Sequence, residues 1–100
     1  MLNINKVSDI TYEDVAEYAH IQELDQSDIN TLNTLILVAK DFIQNYTGRS
    51  AEDLDTYADL IIVVLVLCQD MWDNRAYYVD KSNLNQVVDS ILHMHSINLL

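Results

Sequence analysis

The sequence predicts an all-α protein, a small bundle of about four helices around one long apolar helix. Three observations lead there. Apolar residues at Ile29, Leu32, Leu35, Ile36, Ala39, Phe42, Ile43 and Tyr46 keep the spacing of one helical face. An almost wholly apolar run from Leu60 to Cys68 leads into Met71-Trp72-Asp73-Asn74-Arg75. Proline is absent, and the single glycine, Gly48, falls where the first of these stretches stops and a left-handed C-terminal cap is needed.

The first helix is predicted from about Thr11 to His20, with Thr11 as N-cap and Tyr12, Val15, Ala16 and Ala19 facing inward. Glu13 and Asp14 suit the positive end of its dipole. The second helix starts near Ser27-Asp28 and ends at Tyr46. The third, the long apolar one, begins around Asp53 to Asp55 and continues to about Tyr77. A break at Asp80-Lys81-Ser82-Asn83 precedes a fourth amphipathic stretch with Leu84, Val87, Val88, Ile91 and Leu92 on one side.

With 100 residues, half of them hydrophobic, the chain fits one domain spanning 1–100 and one core. Its net charge of −11, from 16 acids against 5 bases, argues against nucleic-acid binding, which needs clustered Lys and Arg to neutralise phosphates. The lone Cys68 sits in the apolar run as a small hydrophobe, as expected of a reduced, cytosolic product. Met1-Leu2-Asn3-Ile4-Asn5-Lys6 lacks the apolar segment of a signal peptide, and Leu60 to Cys68 is far short of the ~20 residues that span a bilayer, so a soluble chain with no membrane partner is expected.

The third helix raises a question of coverage. At about 100° per residue, Asp59, Ile62, Val66, Asp70 and Asp73 fall on one stripe, its most polar side, which Ile62 and Val66 interrupt. A helix apolar almost all round must be covered almost all round, and short partner helices can hardly do so. Another copy of the protein is the simplest cover. The alternative is a monomer whose other helices wrap the third completely.

Catalytic chemistry finds little footing, and neither an enzyme nor a cofactor is expected. Asp53-Leu54-Asp55 stands where a helix N-terminus wants acids. His93 and His95 point about 200° apart on a helix and cannot grip one ion together. His20 ends the first helix, where positive charge is favourable. No base is placed to activate Cys68, and one glycine cannot make a phosphate-binding loop.

An amphipathic helix closing in Tyr46-Thr47-Gly48-Arg49, an acidic linker, a Leu/Val-rich helix ending in Trp72-Asp73-Asn74-Arg75 and a terminal segment carrying Ser90-Ile91-Leu92 together resemble the small head-to-tail connector proteins of tailed bacteriophages and prophages. These are also called head-completion, adaptor or DNA-packaging proteins. The resemblance runs from the first helix to the end of the chain. Where the family commonly has Tyr-Glu-Asn-Arg, this chain has Trp72-Asp73-Asn74-Arg75, which keeps an aromatic, an acid and the Asn-Arg pair. The Asp80 to Gln86 region and the residues from His95 to Leu100 match the family only loosely.

The resemblance implies a structural, ring-forming subunit, a single helical connector domain that assembles with itself, about twelve-fold in the virion, beneath the portal protein after DNA packaging. It would stand at the head-to-tail interface of the virion, and in the host cytoplasm before assembly. The ring would extend the channel and support a stopper or tail-completion protein, with DNA only as passing cargo. An acidic lumen would repel phosphates and let DNA slide; plain solubility explains the acidity as well.

Carried onto this sequence, the resemblance makes Tyr46, Thr47 and Gly48 a structural motif. Arg49, Arg75, Ile62, Val66, Asp70, Trp72 and Asp73 become subunit-interface candidates, and Ile91, Leu92, His93 and His95 portal-docking candidates. Arg49 and Arg75, the only arginines, suit bidentate bonds to carboxylates of the same or a neighbouring subunit. Two other classes stay open: a small acidic regulator, such as a nucleic-acid mimic, and, more remotely, a metal-dependent hydrolase. A mimic needs acids in exposed ordered rows, whereas these sit largely in first turns and loops.

Overall fold

Residues 4–97 are described in a computed structural model. They form α1 (Tyr12–Ala19), α2 (Gln26–Thr47), α3 (Ala51–Leu54), α4 (Asp59–Asn74) and α5 (Gln86–His95), with single 3₁₀ turns at Val7–Asp9 and Lys81–Asn83. No strand occurs among the described residues.

Acids start these helices by satisfying their free backbone groups. Asp14 Oδ2 accepts the Thr11 N–H at 2.8 Å, fixing α1 where expected. The second helix starts earlier than the Ser27-Asp28 signal suggests. Asp25 is its N-cap, and Asp25 and Asp28 each accept the other's backbone N–H, at 2.8 and 3.2 Å. Gly48 closes α2 with φ 74°, and its N–H bonds the Gln44 carbonyl at 2.9 Å, the predicted left-handed cap.

The expected long apolar helix from Asp53–Asp55 to Tyr77 is not one element. Ser50 caps the four residues of α3, and the Thr56 hydroxyl then takes the Asp53 carbonyl at 2.7 Å, a bond that competes with helix continuation. Tight three-residue bonds follow, from Thr56 N–H to Asp53 and from Tyr57 N–H to Leu54, and they drive Leu54 into the core. What remains, α4, has 16 residues and is shorter than α2, which has 22. It stops three residues before Tyr77 because Arg75 adopts φ 52° and the Ala76 N–H reaches back to the Met71 carbonyl at 3.0 Å.

The shorter α4 still organises the core. Leu60, Val63, Val64, Leu65, Leu67, Cys68 and Met71 are all buried. They pack with Leu32, Leu35, Ile36, Ala39 and Ile43 of α2, Val15 and Ala16 of α1, and Val88 and Leu92 of α5. Each Val, Leu, Ile or Met side chain among them contributes about 1.5–3 kcal/mol of burial free energy, offset by the entropy of ordering the chain.

α5 shows less of its expected inner face. Leu84 precedes the helix, and Val87 is 65% exposed, because only Val88 and Leu92 point squarely at the core. His95 meets Asp59 at the start of α4, and Leu84 lines a groove with Asp70 near its end, so α5 runs antiparallel to α4. The stripe of α4 stays largely uncovered among the described residues: Ile62, Asp70 and Asp73 are exposed and Val66 is half-buried, while Asp59, also exposed, is met by His95. No helix of the described residues is long and apolar enough to cross a membrane.

Candidate functional site

The residues singled out from the sequence fall into two regions on opposite flanks of α5. On the α2 flank, the Tyr46-Thr47-Gly48-Arg49 segment clasps the C-terminal part of the chain. The Tyr46 hydroxyl donates to Asp89 Oδ1 at 3.1 Å and lies 3.1 Å from His93 Nε2, while the Tyr46 and His93 rings meet edge to face. Burial, then the bond to Asp89 and its charge, raises the Tyr46 hydroxyl above its ordinary pKa. Among the described residues Thr47 is the one polar residue in the buried core; its hydroxyl donates to the Ile43 carbonyl at 2.7 Å, and its own carbonyl accepts the Ile97 N–H at 2.8 Å.

Gly48 turns the chain so that Arg49 points at the same end of α5. The Arg49 Nε–H donates to the His95 carbonyl, and its guanidinium lies 4.8 Å from the Tyr57 ring centroid and 3.9 Å from Asp53. Arg49 thus satisfies a carbonyl that α5 leaves free at its C-terminus, and Thr47 holds the N–H of the segment just beyond it. His95 completes the clasp by setting Nε2 at 2.8 and 2.9 Å from the two Asp59 oxygens, against the Tyr57 ring. His93 and His95 therefore serve different elements, α2 and α4.

This placement sorts the candidates. Arg49 braces its own subunit. Leu92 is fully buried and belongs to the core, so it cannot dock a portal; periodicity marks an apolar face without saying which neighbour covers it. Ile91 is half-buried, His93 is exposed, and His95 is largely occupied by Asp59. Residues 98–100, the end of the expected docking segment, lie outside the described residues.

At the end of α4, a half-buried Trp72, packed partly against the core, and an exposed Arg75 form a corner. The Arg75 guanidinium stacks 4.6 Å from the Trp72 ring centroid, and no carboxylate pairs with it among the described residues. Tyr77 and Tyr78 follow, both exposed. Beside them opens a groove of about 500 Å³ lined by Leu67, Asp70, Met71, Asn74, Tyr78 and Leu84, among others. Partial burial, reinforced by the charge of Asp73, raises the Asp70 carboxyl above the usual range, so this acid has no cation compensating it.

Nucleophilic chemistry has no footing at Cys68, because burial pushes its thiol up to about 12. Many of the acids are committed to helix ends: Asp14, Asp25, Asp28 and Asp80 all accept backbone N–H groups at caps. Sequence reasoning missed the left-handed residues His20 and Arg75, which end helices without glycine, and the bonds joining α2 to α5. No family model, curated protein or solved structure matches this chain.

Proposed function

We propose that this chain is a head-to-tail connector subunit that forms a ring on a phage portal vertex and supports a stopper or tail-completion protein. The observation that carries the reading is the corner made by Trp72, Arg75, Tyr77 and Tyr78. Trp, Tyr and Arg dominate interface hot spots, and here Arg75, Tyr77 and Tyr78 are exposed beside a half-buried Trp72 on a chain with only 5 basic residues. Arg75 also occupies a left-handed backbone position that glycine fills at lower cost. A side chain kept there against conformational preference suits a function outside the subunit, and a carboxylate of a neighbouring copy is the partner its guanidinium fits.

The two motifs that carry the resemblance divide the labour in this reading. Tyr46 to Arg49 shapes the subunit, and Trp72 to Arg75 joins it to others. Ring contacts between chains of net charge −11 repel at low salt, so assembly strengthens as salt screens them over a Debye length of about 10 Å at 0.1 M. Double-stranded DNA should not be retained at any salt, as suits a channel wall.

Arg75→Gly tests the reading without risking the fold. Melting of the variant should be unchanged or raised by the equivalent of about 1 kcal/mol, since glycine relieves the positive φ. Sedimentation at high protein concentration and moderate salt should show larger species for the natural chain and monomers for the variant. A variant that assembles as well as its parent removes Arg75 from the interface, and tight DNA binding by either protein ends the channel reading.

A further inference from the structure

We propose that Tyr46, Asp89 and His93 form a binding site for a zinc-class divalent ion across the contact between α2 and α5. Three donor atoms converge there. The Tyr46 hydroxyl oxygen lies 3.1 Å from Asp89 Oδ1 and 3.1 Å from His93 Nε2, and Asp89 Oδ1 and His93 Nε2 are 3.5 Å apart. Zinc holds oxygen and nitrogen at about 2.0–2.2 Å, which sets neighbouring donors about 2.8–3.6 Å apart between octahedral and tetrahedral arrangements. The three atoms already have the spacing of one face of such a shell.

The donors come from two elements whose backbones the core fixes. Asp89 and His93 stand one turn apart on α5, the spacing that puts two side chains on one face, and Val88 and Leu92 beside them in the chain are buried. On α2, Tyr46 lies between buried Ile43 and Thr47, and its ring meets those of Phe42 and His93. An ion would find its ligands in place and would displace only the hydrogen bonds among them. The outer side is open, with the His93 side chain 68% exposed and that of Asp89 45%, so water can complete the shell. No three of His, Cys, Asp and Glu converge among the described residues; the third donor here is a phenol, 43 positions from Asp89. His95, turned to Asp59, takes no part.

The charges balance. A carboxylate, a phenolate and a neutral imidazole set two negative charges against the two positive charges of the ion. In the free chain Tyr46 keeps its proton, since burial and then Asp89 disfavour its ionisation. On binding, the Tyr46 O–H bond breaks, the oxygen bonds the metal and the proton passes to water. His93 offers the Nε2 lone pair and carries its proton on Nδ1. Lys81, 5.5 Å from the Tyr46 ring centroid, opposes the ion, whereas the net charge of −11 favours it. This inference does not rest on the connector reading, because the triad lies within one chain.

The test titrates zinc chloride into the full chain by calorimetry, in buffers of different ionisation enthalpy, and follows ultraviolet absorbance in parallel. Binding should saturate at one ion per chain, release a proton, and produce the difference spectrum of one ionised tyrosine. His93→Ala and Tyr46→Phe should each weaken binding at least about tenfold, and Tyr46→Phe should abolish the difference spectrum. Circular dichroism checks that each variant is folded; Asp89→Asn, with the same tenfold expectation, replaces one that is not. His20→Asn, at an exposed histidine outside the triad, should bind as the natural chain does. No saturable zinc binding, saturation without tyrosine ionisation, or natural affinity in a folded triad variant would each overturn the inference. So would a loss of affinity in His20→Asn. None of these outcomes decides ring formation, which the Arg75→Gly comparison tests separately.

Discussion

The two flanks of α5 are built from opposite materials. Toward α2 the polar groups are answered inside the chain: Tyr46 by Asp89, the Thr47 carbonyl by Ile97, and Arg49 by the His95 carbonyl, while the His95 ring itself turns to Asp59 of α4. Along the outer side of α4, Ile62, Asp70 and Asp73 are exposed, and no cation pairs with these two acids among the described residues. Hydrogen-bonded closure fixes where α5 sits; open apolar surface is left for what α5 meets.

The contrast breaks most visibly within α5 itself. Leu92→Ala should lower stability by about 2–5 kcal/mol, the usual result of hollowing a packed core position. Met94→Ala, two residues away on the open face, should change it by less than about 0.5 kcal/mol. Denaturant unfolding of the two variants checks both, and comparable losses would mean that the open face is part of the core.

Gly48→Val attacks the clasp from its hinge. With φ 74° at this position, a β-branched residue should cost about 1–2 kcal/mol, and amide exchange at Ile97, bonded to the Thr47 carbonyl, should quicken with it. An unchanged melting temperature and unchanged exchange would show that the turn holds nothing.

These two regions were not equally legible in the sequence. Gly48 announced its helix end because it is the only glycine, and the α2 face read cleanly because its apolar residues keep one period over 22 residues. Arg75 and His20 end helices just as firmly but give no such signal, since a non-glycine left-handed cap is set by the bonds around it. The break between α3 and α4 depends on a Thr56 hydroxyl choosing a local carbonyl, which a run of helix-compatible residues conceals. Leu92 lies inside, as its period suggests, whereas Val87 from the same face stands outside, because periodicity finds the apolar side of a helix but tertiary packing decides how wide a strip of it is covered. The clasp joins residues some 46 positions apart, as in the Arg49–His95 bond, and no local pattern reports it.

The smallest effect sharpens the electrostatic half of the contrast. Burial, and then Asp73, holds the Asp70 carboxyl above the ordinary range, so the folded chain binds this proton more tightly than the unfolded chain does. That contribution is complete below the unfolded carboxyl pKa, about 3.9, and is lost as pH rises through the folded value. Asp70→Asn should therefore be slightly more stable than the natural protein at neutral pH, with the difference closing toward acid. A variant less stable at pH 7 would show that Asp70 has a favourable partner after all.

The connector proposal meets its most direct test in electron microscopy of this protein mixed with portal complexes encoded by the same genome. Prior ring formation by the protein alone is not required, since the portal itself can nucleate the ring. The account predicts an added ring of helical density on the portal for the natural chain, and its loss for Arg75→Gly. Bare portals at protein concentrations well above those of the portal subunit, or a genome that encodes no portal, would contradict it.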